Sequence, residues 1–64
     1  EGVRVRTSGG GLIVDLHIVV IYGMNIAAVT RSIVNRVRYT VEQATGLEVA
    51  KVNVFVDAMK TENA

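Results

Sequence analysis

The stretch from Leu12 to Ile21 constrains the fold of this chain more than any other part of its sequence. Its even-numbered positions are all apolar, whereas its odd-numbered positions are polar in the middle and apolar at both ends. The two sets are Leu12, Val14, Leu16, Ile18 and Val20 against Ile13, Asp15, His17, Val19 and Ile21. This period of two is typical of a strand with one fully buried face. We therefore predict a long strand at the centre of a sheet.

A shorter strand precedes it and is joined to it by a glycine-rich turn. Arginines alternate with smaller side chains in the order Val3, Arg4, Val5, Arg6 and Thr7. That alternation predicts a half-buried strand. The run Ser8–Gly11 then favours a tight hairpin turn, because glycine readily adopts positive φ.

A single helix follows the long strand. Asn25 is a suitable N-cap, because its side-chain oxygen can accept a hydrogen bond from an unpaired backbone N–H. Apolar residues then recur every three or four positions and predict one apolar stripe along about five helical turns. They are Ile26, Val29, Ile33, Val37, Val41 and Ala44. Gly23 marks the strand-to-helix turn, and Gly46 is typical of the position at which a helix ends.

The last strand is predicted over Leu47–Met59. Alternation assigns Val52, Val54, Val56 and Ala58 to one face and Lys51, Asn53, Phe55, Asp57 and Met59 to the other. A strand, a helix and a strand joined by short loops predict two parallel strands with a right-handed crossover. The predicted fold is α+β: a β-β-α-β module with a three-stranded mixed sheet and one amphipathic helix on one face.

Length and composition restrict the chemistry that this fold can support. The 64 residues suffice for one domain over 1–64, and the lack of an initiator methionine leads us to expect a fragment of a longer chain. There is no cysteine and only one histidine, and the net charge is +1. Disulfides and thiolate metal sites are excluded, and the charge balance does not favour a nucleic-acid binder. The longest apolar run, Ile18–Tyr22, is far too short to span a membrane.

Two segments resemble the alkaline-shock protein family of Gram-positive bacteria. Val14–Ile26 is an apolar strand that ends in Tyr-Gly and continues with Asn-Ile, and Thr45–Val56 places Thr-Gly-Leu before a strand that contains Val-Asn-Val. The two signatures are separated as in the family, and the resemblance covers about residues 2–59. Ala27 departs from the pattern, because the family usually has proline at that helix start.

The resemblance implies a non-enzymatic protein of the cell envelope or the general stress response. It carries over no cofactor and no catalytic residue. The expected partners are other copies of the chain and other proteins, among them a membrane-anchored one. The expected location is cytoplasmic, with attachment to the membrane only through such a partner. Family members usually carry a preceding, largely helical segment, which this sequence lacks.

One face of the predicted sheet has nothing to cover it, because a single helix covers only one side. Apolar side chains on that uncovered face predict a surface for self-association or for docking of the preceding segment that family members usually carry. They are Ile13, Val19, Ile21, Phe55 and Met59.

Candidate catalytic and metal sites are weak by comparison. His17 has only Asp15 beside it, and two ligands do not complete a metal site. Ser8 and Ser32 lack an assigned base, and the loop Ser8–Gly11 lacks the lysine and the following helix of a phosphate-binding loop. We therefore predict no catalytic residue, no metal ligand and no enzymatic activity.

Arginines support the alternative function, a small RNA-binding module. Arg31, Arg36 and Arg38 on the helix could contact the phosphates of a polyanion. The sequence lacks a Gly-x-x-Gly loop that leads into a helix, and it lacks paired stacking aromatics on adjacent strands. A solvated helix face is the favoured interpretation of these arginines.

Overall fold

A computed structural model of the chain describes residues 2–61. It contains β1 (Gly2–Ser8), β2 (Gly11–Ile21), α1 (Ile26–Thr45) and β3 (Val49–Lys60). The sheet order is β1-β2-β3, with β1 antiparallel and β3 parallel to β2. The predicted α+β fold, its element order and the central position of β2 are confirmed.

Local signals set both ends of α1 as predicted. Asn25 Oδ1 accepts a hydrogen bond from the Ala28 N–H at 3.0 Å. At the other end Gly46 adopts a left-handed conformation with φ of 72°, and its N–H donates to the Glu42 carbonyl at 2.8 Å. Gly23, in the turn that precedes the helix, also has a positive φ of 95°.

The core is a single thin layer between α1 and the sheet. Its buried apolar residues are Leu12, Val14, Leu16, Val20 and Val49. Ile33, Val37 and Val41 of the helix pack against this layer, but no residue of α1 is itself fully buried. The even-numbered face of β2 is therefore the covered face, as predicted.

Two register shifts change which side of the sheet β3 residues occupy. Between Leu12 and Ile13 the partner on β3 moves from Val49 to Lys51, and between Ile18 and Val19 it moves from Val56 to Ala58. β3 therefore has an extra residue at Ala50 and at Asp57, as in a β-bulge. Simple alternation fails across each bulge.

The second bulge corrects one predicted surface residue. Alternation predicts Met59 on the uncovered face, but it pairs with Val20, a buried residue of the even-numbered face of β2. Residues that pair across neighbouring strands share a face of the sheet. Met59 therefore does not lie on the uncovered face, and Ala58, the partner of Val19, lies there instead. The first bulge likewise places Val49 in the core beside its partner Leu12, on the opposite face from Lys51.

Candidate protein-interaction surface

The side of the sheet opposite α1, here called the open face, is uncovered by any element within residues 2–61. It divides into a polar end near the β1–β2 hairpin and an apolar end near the last residues of β2. The open face comprises Arg4, Arg6, Ile13, Asp15, His17, Val19, Ile21, Lys51, Asn53, Phe55, Ala58 and Lys60.

A hydrogen-bonded cluster centred on Asp15 forms the polar end. The Arg6 guanidinium donates to both carboxylate oxygens of Asp15, from Nε at 2.9 Å and from Nη2 at 3.2 Å. The Asn53 side-chain amide donates to Asp15 Oδ1 at 2.9 Å. These bonds connect all three strands, and Asp15 is buried despite its charge.

The same partners set the protonation of Asp15. The hydrogen bond from Arg6 and then the one from Asn53 hold the pKa of Asp15 below its ordinary value, against a smaller opposing effect of burial. The carboxylate is therefore ionised at neutral pH with its hydrogen-bonding capacity used within the sheet. This cluster stabilises the fold and leaves Asp15 unsuited to act as a proton acceptor for a substrate.

Ile13 belongs to this polar end of the open face. In the sheet register it lies between Arg6 on β1 and Lys51 on β3. Long basic side chains cover apolar neighbours with their methylene groups. Ile13 is accordingly only partly exposed, and it contributes less to an apolar surface than the sequence suggested.

The apolar end of the open face presents what we call the apolar patch, made of His17, Val19, Ile21 and Phe55. The His17 and Phe55 rings stack with centroids 4.9 Å apart and planes 20° from parallel. Phe55 is 46% exposed, and Val19 and Ile21 are 37% and 38% exposed. Apolar side chains that adjoin on an exposed sheet face are typical of an interaction surface.

His17 is held by a second contact as well as by the stack. Its Nδ1 lies 2.9 Å from Asp57 Oδ1 on β3, and the bulge at Asp57 brings that carboxylate toward the histidine. Both side chains remain about half exposed. The pair orients the imidazole ring over Phe55 and places a negative charge beside the apolar patch.

A second exposed apolar surface, which the sequence analysis missed, lies on the helix side of the sheet. Val3 and Val5 of β1 are 68% and 50% exposed there. A cavity of about 280 Å³ opens between β1 and α1, with Val3, Leu16, Ile18, Ile33 and Val37 among its lining residues. A helix is about 10 Å wide and strands are about 4.8 Å apart, so one helix covers about two strands. The third strand, β1, is left open.

Four of the five predicted self-association residues lie on the open face. The structure also contains side-chain contacts that the sequence did not predict. The sequence analysis did not predict the Arg6–Asp15–Asn53 cluster. The signal for it was the tight Ser8–Gly11 hairpin, which sets the register of β1 and β2 so that Arg4 lies opposite Asp15 and Arg6 lies two residues away. Alternation places Asp57 on the same face as Phe55, but its contact with His17 depends on the register between β2 and β3, for which the sequence has no local signal.

The three arginines predicted as polyanion contacts all lie on α1. Arg31 and Arg36 are exposed, whereas Arg38 is partly buried. Within the described part of the chain, no three potential metal-binding side chains come together. No helix over the same residues has the length and apolar character needed to cross a membrane.

Comparison with known proteins places these features in a family. The uncharacterized protein YloU of Bacillus subtilis is 39% identical over 63 residues, which cover 98% of this chain and 52% of YloU. The uncharacterized protein Spy1614 of Streptococcus pyogenes is 37% identical over 60 residues, covering 94% of this chain and 50% of that protein. The chain thus spans about half the length of these curated relatives. No solved structure matches it.

The family model of the ASP23 proteins, described as having a cell envelope-related function, matches residues 1–61. This match includes all four elements of the fold and both faces of the sheet. It agrees with the resemblance carried by Tyr22-Gly23 and Thr45-Gly46-Leu47. The chain belongs to the ASP23 family of alkaline-shock, cell envelope-related proteins.

Proposed function

We propose that this module is a non-enzymatic protein-interaction unit of a cell envelope-related protein, and that its apolar patch docks onto a second copy. The observation that supports the proposal is the exposed row formed by the His17–Phe55 stack and the adjoining Val19 and Ile21. The polar side chains on the same face bond to one another, as in Arg6 with Asp15 and His17 with Asp57.

The gain from covering the patch is large for so small a domain. If its four side chains each lose about 50 Å² of apolar surface, burial contributes about 5 kcal/mol per chain. That is comparable with the total folding stability of a small domain. A two-fold interface covers the same patch on both copies at once.

The charges on the open face allow a second copy of the same chain. Arg4, Arg6 and Lys51 make the polar end basic, whereas Asp57 and Lys60, the partner of Ile21, balance each other at the other end. Stacking two faces in opposite directions keeps the two basic ends apart. Avoiding contact between like charges favours that orientation.

The test is a matched pair of valine-to-aspartate variants. Val19→Asp places an unpaired charge in the apolar patch and is expected to weaken association by about 100-fold, as burial of such a charge costs several kcal/mol. Val3→Asp makes the same change on the helix side of the sheet and should leave association unchanged. Light scattering over a concentration series, with circular dichroism to confirm folding, measures both effects.

Two results would contradict the proposal. One is a wild-type chain that is folded and monomeric up to about 1 mM, where even weak association becomes visible. The other is equal weakening of association by Val19→Asp and Val3→Asp. Either result would mean that the apolar patch is not the surface on which copies meet.

A further inference from the structure

The outer edge of β3 is open to another strand. Within residues 2–61, β3 is an edge strand with no strand paired on its outer side, and α1 packs over one of its faces. The bulges at Ala50 and Asp57 limit the regular stretch to Lys51–Val56. An unpaired edge of this length presents backbone N–H and C=O groups ready to pair with a further strand.

The two charged residues that flank this stretch have opposite signs. Lys51 lies at its start and Asp57 directly after its end, and both side chains are exposed. If a second β3 lies antiparallel to the first with the two Val54 residues opposite each other, Val52–Val56 pair regularly and Lys51 of each copy lies next to the bulge at Asp57 of the other. Opposite charges across antiparallel strands stabilise the pairing, and the two-fold symmetry supplies this contact twice.

The rest of this register is also compatible with pairing. Val52 of one copy lies opposite Val56 of the other on the helix side of the sheet. Asn53 lies opposite Phe55 on the open face. Aromatic and β-branched residues are favoured in such cross-strand positions. No like-charged residues meet anywhere between Lys51 and Asp57.

The other edge of the sheet lacks this self-complementarity. β1 carries Arg4 and Arg6 and, over Gly2–Ser8, no acidic residue. Antiparallel pairing of two β1 strands brings these arginines together, and like charges across a strand pair are destabilising. Charge therefore selects β3 as the edge at which two copies can join.

We propose that β3 pairs with β3 of a second copy, antiparallel about Val54, to form a continuous six-stranded sheet. This inference rests on the proposed self-association but uses a different surface, the strand edge. The two-fold axis is perpendicular to the sheet, because paired residues share a face. Both helices therefore lie on one side, and both apolar patches lie together on the other.

Charge exchange tests the register directly. Lys51→Glu places Glu next to Asp57, and Asp57→Lys places Lys next to Lys51, so each variant alone should associate at least about tenfold more weakly than wild type. An equimolar mixture of the two variants restores an opposite pair at both ends of a heterodimer. We expect the mixture to associate within a few-fold of wild type, as measured by sedimentation equilibrium.

Lys51→Glu also serves as the control for Asp57→Lys, because only the latter removes the contact between Asp57 and His17. If the lost histidine contact were the cause, Asp57→Lys alone would associate weakly and mixing would not repair it. The inference is overturned if the mixture associates no better than the separate variants. If Val19→Asp still abolishes association in that case, the proposed function stands without the β3 edge. If wild type is monomeric, both proposals fall.

Discussion

Asp15 is the buried charged residue of the described chain, and its environment explains how a charge is tolerated there. Arg6 on β1 and Asn53 on β3 both donate to its carboxylate, so a single side chain on the central strand is bonded to both neighbouring strands. A buried carboxylate with fewer partners would be costly. The cluster fixes the position of β1, which has no buried residue of its own.

Replacement of Asp15 by Asn should make the fold less stable at neutral pH, with a deficit that disappears in acid. The pKa of Asp15 lies below the 3.8 of an ordinary aspartate, so its ionised form stabilises the native state. That contribution is fully present above about pH 5 and is lost as pH falls through the lowered pKa. Melting temperatures of wild type and Asp15→Asn, measured from neutral to acidic pH, should converge at the acid end.

Glu48→Gln is the control for this pH dependence, because it also replaces a carboxylate by an amide but at an exposed position. It leaves the Asp15 cluster intact, so the difference in melting temperature between Glu48→Gln and Asp15→Asn should shrink in acid in the same way. A deficit of Asp15→Asn that stays constant with pH would show that the carboxylate charge is not what stabilises the cluster.

At the scale of elements, the sequence predicts those boundaries that short-range interactions determine. Asn25 and Gly46 bond within one turn of the helix they delimit, so their residue types alone indicate where α1 begins and ends. The bulges in β3 depend on contact with β2, which is distant in sequence. Local alternation therefore predicted Phe55 correctly and Met59 incorrectly.

The first bulge lies where three elements meet at Gly11. The Leu12 N–H donates to the Glu48 carbonyl at 2.8 Å, which draws the start of β3 against the hairpin. Gly11 has a φ of 132°, and a Cβ placed on it would lie 2.6 Å from the Glu48 oxygen. Gly11 is therefore required by the close approach of β3. The sequence predicted only that it belongs to a turn.

Gly11→Ala is expected to destabilise the fold by about 2 kcal/mol or more, because it combines an unfavourable backbone conformation with a steric clash. Gly9→Ala, two residues earlier in the same hairpin, is the matched control, since nothing lies within 4 Å of its added Cβ. Urea denaturation of both variants measures the difference. Similar losses from the two substitutions would show that β3 does not approach the hairpin as closely as described.

At the scale of the whole molecule, one chain forms an incomplete two-layer structure. Its radius of gyration is 13.1 Å, whereas a compact domain of this length has about 10.7 Å. Its accessible surface is 4630 Å², against about 4,000 Å² for a compact monomer of this mass. The excess is the expected consequence of a sheet with an open face and with β1 uncovered on the helix side.

The uncovered face follows from one helix on a sheet, which is why the sequence could predict it. The exposure of β1 depends on where α1 crosses the sheet, which the sequence did not indicate.

Such a chain should be stabilised by its own association, so its melting temperature should depend on concentration. When native copies associate and unfolded ones do not, mass action shifts the unfolding equilibrium. Raising the concentration from about 10 μM to about 1 mM contributes about 1.4 kcal/mol of stability per chain for a dimer, which raises the melting temperature by several degrees in a domain this small.

Differential scanning calorimetry of wild type and Val19→Asp measures the effect. The variant, which cannot bury its apolar patch, should melt at a lower temperature with a much weaker dependence on concentration. A wild-type melting temperature that does not change over this range would show that folding is complete within one chain.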